Sequence, residues 1–118
     1  MPNDFSKLPL SASTTGKGIP VVAVASPGTT IHAAGAGVVN LDEIWIWAQN
    51  TASEAVKLTL QWGGVATGDL IEITLAAESG LVLIAPGLLL QNSLEIKAFA
   101  SIASMINVFG FVNRITVT

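Results

Sequence analysis

Alternation of apolar and polar residues is the dominant pattern of the chain after its first 17 residues. Residues 56–62 place Val, Leu, Leu and Trp on one side and Lys, Thr and Gln on the other, and residues 71–75 and 94–98 alternate in the same way. A period of two is typical of a β-strand with one buried face and one wet face. Further apolar segments lie at residues 20–25, 29–33, 41–49, 81–85 and 105–118.

Turn residues divide these segments at intervals that suit an antiparallel fold. Clusters of Gly, Pro, Asn and Ser recur roughly every 8–12 residues, as in sandwiches and barrels. The pattern predicts an all-β chain, a single antiparallel β-sandwich of the jelly-roll type. Pro86-Gly87 is expected to end one strand, and Gly110 or Asn113 to break the last one.

Residues 1–17 differ from the rest of the chain in composition. They are rich in Ser, Thr, Pro and Lys, and their apolar residues are widely spaced. We expect an extended N-terminal arm over residues 1–17 and a sandwich domain over residues 18–118. Phe5, Leu8 and Leu10 are the predicted anchors of this arm on a neighbouring subunit or shell.

Some predicted strands are apolar on both faces, which a monomeric sandwich does not require. In the strand at 41–49, Trp45 and Trp47 oppose an apolar row, and in the last strand Phe109 and Phe111 do the same. One face of each strand lines the core, so the other needs a cover. We therefore predict that Trp45, Trp47, Phe109 and Phe111 form an oligomer interface. Cover by the N-terminal arm or a loop of the same chain is the alternative.

Composition strengthens the expectation of self-association. Of the 118 residues 51% are hydrophobic and only 11% are charged, whereas an ordinary soluble domain has roughly 25% charged residues. The acidic balance, with a pI of about 4.8, argues against direct contact with nucleic acid. Residues 18–41 carry no formal charge but contain prolines and glycines that argue against a membrane-spanning helix.

Catalytic and metal-binding chemistry finds little support in the residue types. The chain has no cysteine and a single histidine, His32. A Ser–His–Asp triad around His32 lacks a Gly-x-Ser-x-Gly motif, so we interpret His32 as a strand or loop residue. Asp42-Glu43 and Asp69/Glu72 are pairs of the kind that glycosidases use, but we interpret them as solvated rims. No enzymatic activity, cofactor or metal is predicted.

Carbohydrate binding is a second functional alternative. Jelly-roll modules stack aromatic side chains on sugar rings, and Trp62 beside Gly63-Gly64 stands at a predicted strand end. The chain contains no tyrosine, which weakens this interpretation.

The chain combines a Ser/Thr/Pro arm and the absence of cysteine with two apolar stretches, LDEIWIWAQN at 41–50 and LLLQNSLEIKAF at 88–99. In these features it resembles small structural proteins of the virions of tailed bacteriophages. The resemblance implies a capsid decoration (cement) protein, a homotrimer that binds and stabilises the major-capsid shell. A phage tail or fibre-base component is the alternative that the same resemblance allows. The expected location is the virion, after synthesis in the host cytoplasm.

Overall fold

A computed structural model describes residues 4–117, and the elements below are those of this part of the chain. A short 3-10 helix, Thr67–Asp69, precedes the sixth of nine strands. The strands are β1 Asp4–Pro9, β2 Ile19–Pro20, β3 Thr29–Ala33, β4 Asn40–Asn50, β5 Val56–Trp62, β6 Leu70–Leu75, β7 Val82–Leu90, β8 Glu95–Ala100 and β9 Ile106–Thr116.

The strand pairs are antiparallel and nested along the chain. β5 pairs with β6, β4 with β7, and β3 with β8, while β1 and β2 both pair with β9. The chain is thus folded like one long hairpin with its tip at β5–β6. Going outward from the tip, the strand pairs of this hairpin belong alternately to one sheet and to the other. Sheet A has the order β1-β9-β4-β7, and sheet B has the order β3-β8-β5-β6. The short strand β2 pairs with β9 of sheet A, next to the part of β9 that pairs with β1. This confirms the predicted jelly-roll sandwich.

The core lies between the two sheets and consists of the inward residues of each strand. The inner row of β4 includes Ile44, Ile46 and Ala48, and that of β5 includes Leu58 and Leu60, all fully buried. Alternation along these strands is regular, because side chains of a strand point to opposite faces in turn. The sequence therefore predicts correctly which residues of β4 and β5 enter the core.

Two of the predicted strand ends are wrong. β7 continues through Pro86-Gly87 to Leu90, because β7 is an edge strand that tolerates a proline, and its register on β4 shifts at this point. β9 continues without a break through Gly110 and Asn113. Gly110 is needed there for close approach, since a Cβ at this position would collide with the backbone carbonyl of Trp45 on β4.

Residues 21–28 form a loop rather than the strand predicted at 20–25. In this part of the chain, strand pairing with β9 is confined to Ile19–Pro20. The loop that follows reaches the outer side of sheet B. There the Gln61 side chain accepts a hydrogen bond from the Gly28 backbone N–H at 3.0 Å and donates one to the Ser26 hydroxyl at 3.0 Å. This loop explains why Gln61 is buried although it points away from the core.

Part of the predicted arm is a strand of the sandwich. Residues 4–9 form β1, the edge of sheet A, and lie antiparallel to β9. Leu10 is 1% exposed and belongs to the core, and Leu8 packs against the core from β1. The assignment of these two leucines to a shell contact is therefore corrected, because their apolar side chains are needed inside the protein. Phe5 is 73% exposed.

Candidate functional site: the aromatic face and a buried polar chain

The outer side of sheet A carries an apolar surface centred on β4 and β9, which we call the aromatic face. Trp45 lies directly opposite Phe111, and Trp47 lies opposite Phe109. These side chains point away from the core because the neighbouring positions of both strands point into it. The structure thus brings the four residues predicted for an oligomer interface together on one surface.

The aromatic side chains pack closely against one another. The ring centroids of Trp45, Trp47 and Phe111 lie 6.0, 6.2 and 6.2 Å apart, with nearly parallel planes. The Lys7 ammonium lies 4.5 Å from the centroid of Phe111, within reach of a cation–π interaction. A Cβ on Gly18 would come within 2.6 Å of the Phe109 ring. The N-terminal segment therefore covers part of the aromatic residues, and all four remain half-buried.

The flanking strands extend the aromatic face instead of closing it. Phe5 on β1 is 73% exposed, and on β7 Leu83 and Leu89 are 45% and 59% exposed. Leu83 lies opposite Trp47, and directly opposite residues of an antiparallel pair share a face. The apolar surface therefore spans the sheet from one edge strand to the other.

Polar pairs bound the aromatic residues at both ends of β4 and β9. Glu43 lies opposite Asn113 at one end, and Gln49 lies opposite Asn107 at the other. The Glu43 carboxylate accepts hydrogen bonds from the Trp45 indole at 2.8 Å and from the Asn113 amide at 3.0 Å. These two bonds hold the pKa of Glu43 below its ordinary value. The carboxylate thus stays ionised and fixes the Trp45 ring.

A chain of buried polar groups connects the two sheets beneath this surface. The Asp42 carboxylate, on the inner side of β4, is 0% exposed. It accepts hydrogen bonds from Arg114 at 2.7 and 2.9 Å and from the Gly35 backbone N–H at 3.2 Å. His32 Nε2 lies 2.8 Å from the same carboxylate. Asp42 is therefore not the solvated rim residue predicted from the sequence.

The pKa of Asp42 reflects two opposing effects. Burial raises it, because a charged carboxylate is poorly solvated inside the protein. Hydrogen bonds from Arg114 and His32, together with the positive charge of Arg114, lower it and outweigh burial, so the pKa lies below the ordinary value of 3.8. Arg114, in turn, is held charged, since the hydrogen bond to Asp42 raises its pKa. The network is an ion pair between a buried carboxylate and a guanidinium that is 29% exposed, extended by a histidine.

Ser11 completes a Ser–His–Asp series in space. The Ser11 hydroxyl lies 2.8 Å from His32 Nδ1, and the Ser11 backbone N–H donates to the same nitrogen at 3.0 Å. Nδ1 therefore accepts, and Nε2 donates its proton to Asp42.

Two features of the surroundings separate this series from a hydrolase triad. The lone pair that a general base would use is shared, because Nδ1 accepts from the Ser11 backbone N–H at 3.0 Å while the hydroxyl lies 2.8 Å away. The N–H groups of Ala12, Ser13 and Ala33 donate to Ile31, Leu10 and Ser11, so they are not available to an oxyanion. The geometry fits a structural link that fastens the end of β1 to β3 and β4.

The sequence signal for this network is the alternation of inward and outward positions along β4. Asp42 shares its face with Ile44 and Ile46, and a buried charge requires a partner. Arg114 shares its face with Val112 in the same way. Nothing in the pattern identifies Ser11, because it lies outside any predicted strand.

Trp62, predicted as a possible sugar platform, is the last residue of β5 and is half-buried. Its side chain packs against the core, and its indole N–H lies 3.4 Å from the Leu89 carbonyl oxygen. A shallow cavity of about 270 Å³ lies beside it, lined by Gly63, Gly64 and Val65 together with polar side chains from β5 and β8. Trp62 itself does not line this cavity.

Within residues 4–117, none of the helical structure could cross a membrane, and no three His, Asp or Glu side chains are grouped as metal ligands. Comparison of the chain with models of protein families, with curated protein sequences and with solved structures finds no match.

Proposed function

We propose that this protein is a structural subunit of a phage particle, a self-associating jelly roll that binds the capsid shell and stabilises it. The aromatic face carries the proposal. An apolar surface of this extent, on a chain with five basic and eight acidic residues, favours contact with other protein. The capsid shell is proposed as the partner because the chain resembles small virion proteins. The proposed role is contact, not catalysis.

One end of the sandwich is the proposed contact with the shell. Val38, Val39 and Val117 are 67%, 50% and 42% exposed there, and Phe5 lies at the same end on β1. The Val117 backbone N–H donates to the Val39 carbonyl at 2.7 Å, so the two segments are held together. We call this surface the apolar end. Its valines form small contacts that gain strength when many copies bind one shell.

The test is reconstitution on shells that lack the protein. Purified protein should co-sediment with such shells and raise the temperature at which they release their contents. The variant Val38→Ser/Val39→Ser should bind more weakly, whereas Lys57→Ser, on the outer side of sheet B, should bind like the wild type. Failure of the wild type to bind at saturating concentration would refute the shell as partner. Binding to isolated tails only would favour the tail alternative.

A further inference from the structure

From the geometry of the aromatic face we infer that it pairs with the same face of a second copy about a two-fold axis. This inference rests on the proposed self-association and specifies its partner and symmetry. It departs from the homotrimer implied by the resemblance. A three-fold ring requires a surface to meet a different surface, whereas a surface that meets its own copy closes as a two-fold dimer.

The size of the aromatic face suits such a contact. β4 and β9 are 11 residues long, which corresponds to about 35 Å, and four strands span about 19 Å. Because the edge strands β1 and β7 have only 6 and 9 residues, the face covers about 600 Å², the lower end of the roughly 600–1,000 Å² that each partner buries in a stable interface. Its centre is aromatic and is flanked on both sides by a polar row, much as interfaces generally have an apolar centre and a polar rim.

The charges on this face are compatible with its own copy. Glu43 is engaged by two hydrogen-bond donors, and Lys7 lies on the Phe111 ring. One negative and one positive side chain leave the face without net charge, so two copies do not repel each other. Pairing would bury no carboxylate that lacks a donor.

The order of residues along the strands selects the direction of pairing. Along the strands the outward rows are Leu41 with Ile115, Glu43 with Asn113, two aromatic rows, and Gln49 with Asn107, so the two aromatic rows lie midway between the two polar rows. A two-fold axis across the strands places aromatic rows on aromatic rows. It also places Glu43 of one copy near Gln49 of the other. An axis along the strands would instead bring the two copies of Glu43 together, which like charge disfavours.

The edges of sheet A favour this pairing over extension of the sheet. β7 contains Pro86 and two register shifts, and β1 carries Lys7 and Pro9. Proline, bulges and lysine are the devices that protect edge strands from pairing with other chains. The outer side of the sheet is therefore the surface through which two copies meet.

Native mass spectrometry measures the number of copies directly. A dimer is the expected species. A trimer would overturn the two-fold inference and leave the proposed self-association intact, and a monomer at high concentration would overturn both. The variant Trp45→Ser/Trp47→Ser should dissociate, while Phe99→Ser, a half-buried aromatic on the outer side of sheet B, should remain dimeric. Circular dichroism verifies that each variant is folded.

Charge variants at the rim test the direction without disturbing the packing. Gln49→Glu, which places a carboxylate near Glu43 of the other copy, should raise the dimer Kd about fivefold, because two such contacts form per dimer. Gln49→Lys should lower it by a similar factor, and salt should reduce both effects. Equal Kd values for the two variants would refute the axis across the strands.

Cross-linking gives a second measure, since the chain has no cysteine of its own. A mixture of Glu43→Cys and Gln49→Cys proteins, treated with a bifunctional thiol reagent that spans the roughly 10 Å between packed sheets, should give a covalent heterodimer. Lys57→Cys mixed with either variant should give none. A heterodimer yield no higher than in that control would contradict the inferred pairing.

Discussion

Replacing Asp42 by Asn tests whether the buried polar chain stabilises the fold. Asn keeps the size of the side chain, but its amide N–H₂ faces the donors of Arg114 and His32 in place of a carboxylate oxygen. The carboxylate is 0% exposed and accepts two hydrogen bonds from Arg114. Breaking a buried pair costs about 3–5 kcal/mol, and we expect the lower part of this range because the Arg114 side chain is 29% exposed. A domain of this size has a total free energy of unfolding of roughly 5–15 kcal/mol, so the variant should lose a large part of its stability.

Urea unfolding, followed by tryptophan fluorescence at one protein concentration, measures the cost. With a slope of about 2 kcal/mol per molar urea, the midpoint should fall by roughly 2 M. Glu43→Gln is the matched control, since it changes the neighbouring carboxylate on the exposed side of the same strand. A midpoint for Asp42→Asn equal to that of Glu43→Gln would refute the assigned role of the network.

The pH dependence of stability supplies a second result for the same pair of proteins. The pKa of Asp42 is lowered in the folded state. Its contribution is therefore fully present above the ordinary pKa near 4 and is lost as the pH falls through the lower folded value. Wild-type stability should decline over this window below pH 4 more steeply than that of Asp42→Asn. Parallel declines would show that other carboxylates account for acid unfolding.

Further predictions concern single positions and the N-terminus. Gly110→Ala should cost more than about 3 kcal/mol in thermal melts, because the new methyl would collide with a β4 carbonyl, whereas Gly68→Ala meets nothing within 4 Å and should be neutral. Trp62→Ala should cost about 3 kcal/mol through lost packing; a glycan-array signal that disappears with it would favour carbohydrate binding instead. Phe5→Ser, which changes an exposed side chain of β1, should leave the domain folded and reduce its co-sedimentation with shells, and undiminished binding would argue against Phe5 as part of the contact.

Much of the fold is predictable because alternation determines which side chains are buried. The alternation at residues 56–62 predicts a strand with one wet face, and β5 has the same bounds, although Thr59 and Gln61 on that face are buried. The two faces of β4 and β9 also follow from parity, including the outward direction of Trp45 and Phe111. Such patterns are local, so they require no knowledge of the partner strand.

The misplaced elements depend on information that is not local. Pro86 is acceptable in β7 only because β7 lies at a sheet edge, and edge position follows from topology. Residues 4–9 carry no regular alternation, yet β9 offers them an unpaired edge. Asp42 is hydrogen-bonded by His32 and Gly35, which lie close together in the chain, and by Arg114 from β9. His32 in turn contacts Ser11. Parity indicates that such a charge needs a partner but does not identify it.

The buried ion pair also explains how two strands that are apolar on both faces find one register. In such strands hydrophobicity alone specifies register weakly, because a slip of two residues keeps apolar side chains inside and outside. Asp42 lies directly opposite Arg114, and a slip of two would place it opposite Val112 and leave a buried carboxylate without its cation.

We infer that this pair selects the register that sets Trp45 beside Phe111. The variant His32→Leu/Asp42→Leu/Arg114→Met removes the charges together with the histidine that donates to Asp42, so it should recover part of the stability lost in Asp42→Asn, as replacement of buried ionic groups by apolar residues often does. It should nevertheless dimerise more weakly, since part of the population would present a shifted aromatic face. Full recovery of both stability and dimerisation would show that packing alone determines the register.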